Sequence, residues 1–468
     1  MNKNIVSFKN KTYIGNNEIK TLKLLAFLEL CFIIYSFFKG TGIFFIQIAI
    51  VLVPMSLLGC MAVFRFGGDK YLLIVVILLL NFGFLIQMMS QDNISGIYFS
   101  AMIKCLSSFL IALIASILFK KFSNIISMDI MIYVLTAIQS LFIIVLYIWG
   151  ITVGNMEGAG AKINIDFGLF VFQPLEVVKV IYVFVSSIIF CKEERVYDKI
   201  MFMPRELYFV LYTFLISLAM IKFSEFGTLL IMALTGFIMM IIYSTNRKTV
   251  KLFSVVMPVL TVLGVIAIIF INPTQGWLGK LYGRFRYFLT PEVDYMNTGY
   301  HGVQIRKALT VGGLLGPDSN RYIVNIPNSE SDMVFSNLIQ HCGIIMGILL
   351  IFTFIILLVR GIEIARKCID SYFSGLAMGF TLLIVIESIV HIGYNIGILP
   401  ITGIPLYGVS QGFTATTTYM IMIAIILTIS TETTERSSYD EKVFEKNMGK
   451  TFKGFLPGRR KFKTKNQY

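Results

Sequence analysis

Apolar residues fall in long unbroken runs separated by short polar gaps. About twelve of the runs reach the roughly 17–23 residues that a helix rising 1.5 Å per residue needs to cross a hydrocarbon core about 30 Å thick. They cover approximately 21–38, 42–64, 71–89, 99–119, 128–150, 173–191, 206–222, 226–244, 251–272, 343–360, 373–397 and 413–430. Backbone groups inside a bilayer find no water to bond, so each run is expected to be a helix, and the short gaps make one bundle of them. The expected fold class is an all-α polytopic membrane protein. One connection breaks the pattern: from Pro273 to Cys342 the chain is polar over roughly 70 residues, long enough to hold a site rather than merely join the ninth and tenth helices.

Composition agrees with this solvent. The 468 residues are 56% hydrophobic and 14% charged, with a mean hydropathy of +0.79, which excludes an ordinary soluble domain. The first run follows a basic arm (1–20) and lacks a small-residue cleavage pattern, so it reads as a retained helix. Six scattered cysteines show neither metal-site nor disulfide spacing and read as small buried hydrophobes.

The net charge of +14 would suit nucleic acid, but its placement points elsewhere. Basic residues cluster in alternate loops, at Lys120 and Lys121, at Lys192 to Arg205, at Arg247 to Lys251, at Arg360 to Lys367, and in the tail 433–468. Loops 91–98 and 398–412 carry none. The positive-inside rule then puts both termini in the cytoplasm and segments 151–172, 273–342 and 398–412 outside. Membrane lipids attract the basic tail, so no nucleic-acid partner is needed.

Of the five N-terminal helices (21–150), helices one to four offer little chemistry and read chiefly as scaffold. Informative residues begin at Gln173-Pro174, a helix start that places Glu176 near the positive end of the dipole and Lys179 on the same face. Ionisable residues in a span are costly, and two readings stay open for this pair: a helix-positioning ion pair, or a polar cavity opening outward. Glu225 reads as a solvated cap of helix eight. Glu387 and His391 share a face deep in helix eleven and read as a helix–helix contact or as part of a proton or substrate path. In the large loop, Lys280, Tyr282, Arg284, Arg286 and Tyr287 precede Pro291-Glu292-Val293-Asp294, and residues 297–309 have helical spacing with Arg306 and Lys307 on the polar side. Several cations beside a carboxylate at a membrane surface suit an anionic, lipid-linked substrate: the cations hold phosphate and a carboxylate takes a proton, with Glu292 and Asp294 both available and Asp294 the candidate.

The segments QPLEVVK (173–179), EFGT (225–228), RFRYFLTPEVDYMNTGYH (284–301), GGLLG (312–316), PNSESDMVF (327–335) and GILPITGIPLYGVSQG (397–412) resemble, in order, the blocks of the SEDS family of bacterial shape, elongation, division and sporulation proteins. The resemblance spans about 150 to 430, so region 151–432 is the family-like part, and helices one and two look like an addition to a core of ten. In the family's aspartate block, D-P-x-x-D-P-x-G-x-G-Y, Asp294 corresponds to the essential residue, with Thr290-Pro291 for the first Asp-Pro and Tyr295 for the second Pro. Arg284 matches the upstream cation, and Glu176 and Lys179 match Q-P-S-E-x-x-K, with Leu175 for Ser. The chain departs from the pattern where Ile163-Asn164 follow Lys162 in place of Arg-Trp, where Glu330 replaces a His while Asp332 is kept, where Gln340-His341 replace a Glu pair, where His391 replaces an Asn, and where Ser410-Gln411-Gly412-Phe413 replace S-Y-G-G.

The resemblance implies a peptidoglycan glycosyltransferase that polymerises lipid II at the outer face of the cytoplasmic membrane, beside a class B penicillin-binding protein that cross-links the strands. Asp294 would deprotonate the attacking sugar hydroxyl with inversion at the anomeric carbon. Arg284, Lys179, Lys162, Arg306 and Lys307 would stabilise the leaving pyrophosphate, and Glu176 and Asp332 would shape the substrate site. No cofactor is required by this chemistry, a divalent cation such as Mg or Mn being the one candidate. Two alternatives share these features: a flippase for a lipid-linked precursor, and a catalytically silent partner of a transpeptidase.

Overall fold

The computed structural model describes residues 16–38, 53–54, 56–57, 59, 68–89, 94–128, 130–153, 161–168, 171–191, 205–244, 246–271, 273, 276–290, 299–317 and 323–431. In chain order its helices begin with α1 (Asn16–Phe38), α2 (Lys70–Met89), α3 (Ile94–Ile126), α4 (Met131–Trp149), α5 (Pro174–Cys191), α6 (Arg205–Phe223), α7 (Phe226–Tyr243) and α8 (Arg247–Ile271). The large loop adds α9 (Gly276–Leu289), α10 (Tyr300–Gly312) and α11 (Val334–Cys342), and α12 (Ile344–Lys367), α13 (Ser371–Asn395) and α14 (Phe413–Thr431) complete the bundle. Among the described residues 11 helices are long and apolar enough to cross a membrane. They coincide with the expected runs except for 42–64, which lies largely outside the described residues.

Burial sorts the spans into centre and rim. α2, α5 and α13 are buried along most of their length and α14 along two thirds of it, whereas α3, α4 and α8 turn Leu, Ile and Val outward, as lipid-facing helices should. α13 packs on α5, α7 and α12, and α5 packs on α4 and α7. Lipid tails are as apolar as Leu, so this association depends on close van der Waals contact and small residues. A Cβ on Gly379 of α13 would sit 2.6 Å from Val183 Cγ1 of α5, so only glycine permits the observed approach. Between α4 and α6, the Gln139 amide donates to the Val178 carbonyl at 3.2 Å and accepts from Tyr212 Oη at 2.7 Å, tying three helices by one buried side chain.

At the end of the bundle that carries α9–α11, a small antiparallel sheet forms, which the helical reading did not anticipate: β1 (Ile151–Val153), β2 (Ala161–Asp166) and β3 (Val171–Phe172), in the order β1-β2-β3. Its registers pair Thr152 with Lys162 and Ile165 with Phe172. The GGLLG turn is pinned to the entry of α12, where Ile344 N donates to the Gly313 carbonyl at 3.0 Å and Ile345 N to the Leu314 carbonyl at 3.2 Å.

Candidate active site at the loop-bearing end of the bundle

Pro174 opens α5, where a missing N–H costs nothing, and just before it Gln173 N donates to Thr414 Oγ1 at 3.2 Å. The start of α5 is thereby fixed against the start of α14. Within the first turns, Lys179 Nζ lies 2.8 Å from Glu176 Oε1 and 2.8 and 2.7 Å from the two carboxylate oxygens of Glu387 on α13. Tyr407 Oη donates to Glu176 Oε2 at 2.7 Å, Thr418 Oγ1 donates to the same oxygen at 3.3 Å, and the ammonium stands 4.9 Å from the Tyr407 ring centroid. Lys179 is 1% exposed and Glu387 0%. Isolated charges could not persist there; paired and hydrogen-bonded ones can, and they interlock α5, α13, α14 and the segment before α14.

Nearer the bundle end lies a second charged pair. Glu225, expected as a solvated cap, is buried and makes no capping hydrogen bond. The cause is Gly227, whose added Cβ would lie 2.6 Å from Ile404 Cδ1: segment 402–404 packs onto the first turn of α7 and covers the carboxylate. Thr228 Oγ1 donates to Glu225 Oε2 at 3.2 Å. Burial pushes the Glu225 carboxyl up to about 7, against the downward pull of the Arg284 guanidinium. Arg284, on α9, donates a long hydrogen bond from Nη2 to the Ser224 carbonyl at 3.4 Å and stands 5.5 Å from the Phe226 ring centroid. Its Nη1 is buried with no partner among the described residues.

A third group holds the turn 327–333. The Asp332 carbonyl accepts from Asn395 Nδ2 at 3.0 Å, and Asn395 Oδ1 accepts from Ser336 N and Oγ at 3.1 and 2.7 Å. Tyr394 Oη is 2.7 Å from both the Asp332 and Ile404 carbonyls. Asp332 Oδ2 sits beside Gly403, and burial pushes this carboxyl up to about 6. His391 Nδ1 is 2.6 Å from the Ile404 carbonyl, which can only accept, so Nδ1 carries the proton and Nε2 is left as a buried acceptor.

The structure thus brings Glu176 and Lys179 together and sets Arg284 beside Glu225, while Asp332 lies on the neighbouring turn. Arg306 and Lys307 occupy the exposed side of α10, opposite Gln304, Ile305 and Ala308, which are buried. Asp294 lies outside the described residues, as does the side chain of Lys162. Sequence reasoning missed that Glu387 pairs with Lys179 rather than acting with His391, and it missed Tyr407 and Thr418. A signal existed: a lysine in a span flanked by one carboxylate calls for more acceptors, and Glu387 is a carboxylate in a span with no cation on its own helix face.

The Glu225 carboxyl gives a pH prediction. Its value in the fold, about 7, exceeds the ordinary 4.5, so the folded protein holds this proton more tightly than the unfolded chain. Its contribution is constant below 4.5, falls as pH rises to about 7, and is flat above. Thermal unfolding in detergent should show that fall, and Glu225→Gln should flatten it; an unchanged profile in the variant would place the titration elsewhere.

Comparison with known proteins agrees with this architecture. The chain is 32% identical over 150 residues to stage V sporulation protein E of Bacillus subtilis, a match covering 31% of this chain and 41% of that protein. It is 27% identical over 286 residues to the peptidoglycan glycosyltransferase MrdB of Escherichia coli, covering 58% of this chain and 71% of the relative. Among solved structures, a chain from a study of how a peptidoglycan synthase complex coordinates polymerization and crosslinking superposes with a TM-score of 0.58 at 17% identity, over 78% of this chain and 98% of that one. A mutant of the rod shape determining protein RodA from Thermus thermophilus gives 0.51 at 16% identity, over 78% and 97%. The family model for FtsW, RodA and SpoVE, described as cell cycle protein, matches residues 69–435, and the chain belongs to that family.

Proposed function

We propose that this protein is a peptidoglycan glycosyltransferase that extends glycan strands from lipid II at the outer face of the cytoplasmic membrane. The observation that carries the reading is the match over more than half of the chain to a relative named for that activity. The site supports it with a cation, Arg284, whose Nη1 has no hydrogen-bond partner among the described residues at the loop-bearing end. In the reaction, a sugar 4-hydroxyl attacks the anomeric carbon while pyrophosphate departs. Asp294 removes the hydroxyl proton, and Arg284 and Lys162 stabilise the developing negative charge, with Arg306 and Lys307 drawing the anionic headgroup to the surface. Glu176 and Lys179 position rather than contact substrate, because Lys179 spends its protons on two buried carboxylates. Asp332 shapes the wall beside Gly403.

The same reading keeps both termini cytoplasmic. The end of α12 remote from the large loop carries the ion pairs of Arg360 with Asp69 and Glu363, and of Lys367 with Glu363 at 2.7 Å, as the basic, inner side should. The partner is a class B penicillin-binding protein that cross-links the strands. The pairing of Glu387 with Lys179 supports the reading of that helix face as a helix–helix contact rather than as part of a proton or substrate path. The purified chain, alone and with candidate transpeptidases, should convert lipid II into polymer. Absence of polymer under both conditions would refute the proposal.

A further inference from the structure

The matched family region begins at residue 69, and before it the chain supplies a further span, α1, which it seats on α2. The two helices run parallel. Leu25 packs with Leu73, Ile74 and Ile77, Phe32 meets Phe82 edge to face with ring centroids 5.2 Å apart, and further out Tyr35 Oη donates to the Cys342 carbonyl at 3.5 Å. α1 also turns Leu24, Phe27, Leu30, Ile34 and Phe37 outward. Being apolar on both sides, it gains little from apolar contact in choosing which face meets α2, because lipid offers the same contact.

A polar contact crosses this seam near the middle of both spans. Glu29 is 7% exposed and Asn81 1%, and Asn81 Nδ2 donates to Glu29 Oε1 at 3.0 Å. The same nitrogen donates to the Ile77 carbonyl at 3.2 Å, so both amide hydrogens are spent, and turning the amide over would set its oxygen against that carbonyl oxygen. Two acceptors are left over: Glu29 Oε2 and Asn81 Oδ1 are buried with no hydrogen-bond partner. Among the described side chains of the two helices, Lys20, Lys23, Asp69, Lys70 and Tyr71 stand at the inner ends, with Asp69 paired to Arg360, while Cys31 faces outward and Tyr35 reaches Cys342. No ion pair among the described residues reaches Glu29. An ionised carboxylate only accepts, and here it would hold a single neutral hydrogen bond in a hydrocarbon setting. A proton on Oε2 removes the charge and supplies the missing donor: an acid and an amide that share one hydrogen bond can close a second, with the acid O–H given to the amide oxygen.

We propose that Glu29 is present as the neutral acid, and that the face of α2 around Asn81 is a docking surface for one membrane helix bearing such an acid, occupied here by the chain's own α1. The acid–amide pair selects the face of α1 that turns inward and so holds Tyr35 against the last residue of α11. The seat is separate from the proposed chemistry and stands or falls independently of glycan polymerisation.

Infrared spectroscopy of the full-length protein in lipid bilayers at neutral pH tests the first half. The wild-type spectrum minus that of Glu29→Gln should show the carbonyl stretch of a hydrogen-bonded carboxylic acid and no carboxylate bands. Asn81→Leu should keep the acid band and raise its frequency, because the acid loses the amide. Reversible unfolding reads the seat. Glu29→Leu and Asn81→Leu should each lower the folding equilibrium constant by about three- to thirtyfold, the range of one interhelical hydrogen bond in a membrane, and the double variant should lose no more than the worse single. Glu29→Gln, whose amide N–H replaces the acid O–H, should stay close to wild type, and its spectrum and stability decide the matter if a leucine variant does not fold. Carboxylate bands from Glu29 in the wild type, whether or not they depend on added sodium, a Glu29→Gln variant as damaged as Glu29→Leu, or additive losses in the double variant would overturn the proposal.

Discussion

Replacing Lys179 by methionine should destabilise the folded protein by about 3–5 kcal/mol, the usual cost of removing one partner from a buried ion pair. The size follows from the geometry. Lys179 is the cation between two carboxylates, at 2.8 Å from Glu176 and 2.7 Å from Glu387. Without it Glu387, which is 0% exposed, keeps no charged partner, whereas Glu176 retains the hydroxyls of Tyr407 and Thr418. Glu387→Gln should therefore be the milder change, because Lys179 keeps Glu176. The triple replacement Glu176→Gln, Lys179→Met, Glu387→Gln should recover much of the loss, since neutral polar groups of similar shape carry no uncompensated charge. Thermal unfolding of the purified variants, followed by helicity, orders them. A Lys179→Met midpoint equal to wild type, or a triple variant worse than the single, would show that the cluster is not held together by charge pairing.

Why some of this could be read in advance and some could not has a physical answer. Spans are legible because lipid imposes one rule on every backbone group, and the runs at 173–191 and 373–397 became α5 and α13 almost to the residue. The i, i+3 spacing of Glu176 and Lys179 was enough to foresee their contact. The third member was hidden, because Glu387 lies 208 positions from Lys179 and no local pattern states which faces of two helices will meet. Glu225 illustrates the opposite limit. Its place before the first turn of α7 suggests solvent, and only the packing of Ile404 against Gly227 reveals that a distant loop covers it. The sheet around Lys162 escaped notice because its strands are short and set among glycines, too brief for an alternation signal. Departures such as Glu330 and Gln411 looked unrelated along the chain, yet one backbone hydrogen bond joins them.

Asp294→Asn should leave the protein inserted and folded while lowering polymerisation of lipid II by about 10²- to 10⁴-fold, the range that a positioned general base contributes. A sugar hydroxyl is a poor nucleophile, and its proton must leave as the glycosidic bond forms; an amide of the same shape accepts hydrogen bonds but cannot take that proton. In the sequence Asp294 falls between α9, which carries Arg284, and α10, which opens at Tyr300. Helicity and thermal midpoint should match wild type, which separates a lost base from a lost fold. Arg284→Ala supplies the complementary measurement, because removing the cation should weaken the stabilisation of departing pyrophosphate while leaving the base in place. Undiminished polymer from Asp294→Asn would remove Asp294 from the chemistry. A cell that tolerates Asp294→Ala but not deletion of the protein would favour a silent partner of the transpeptidase instead.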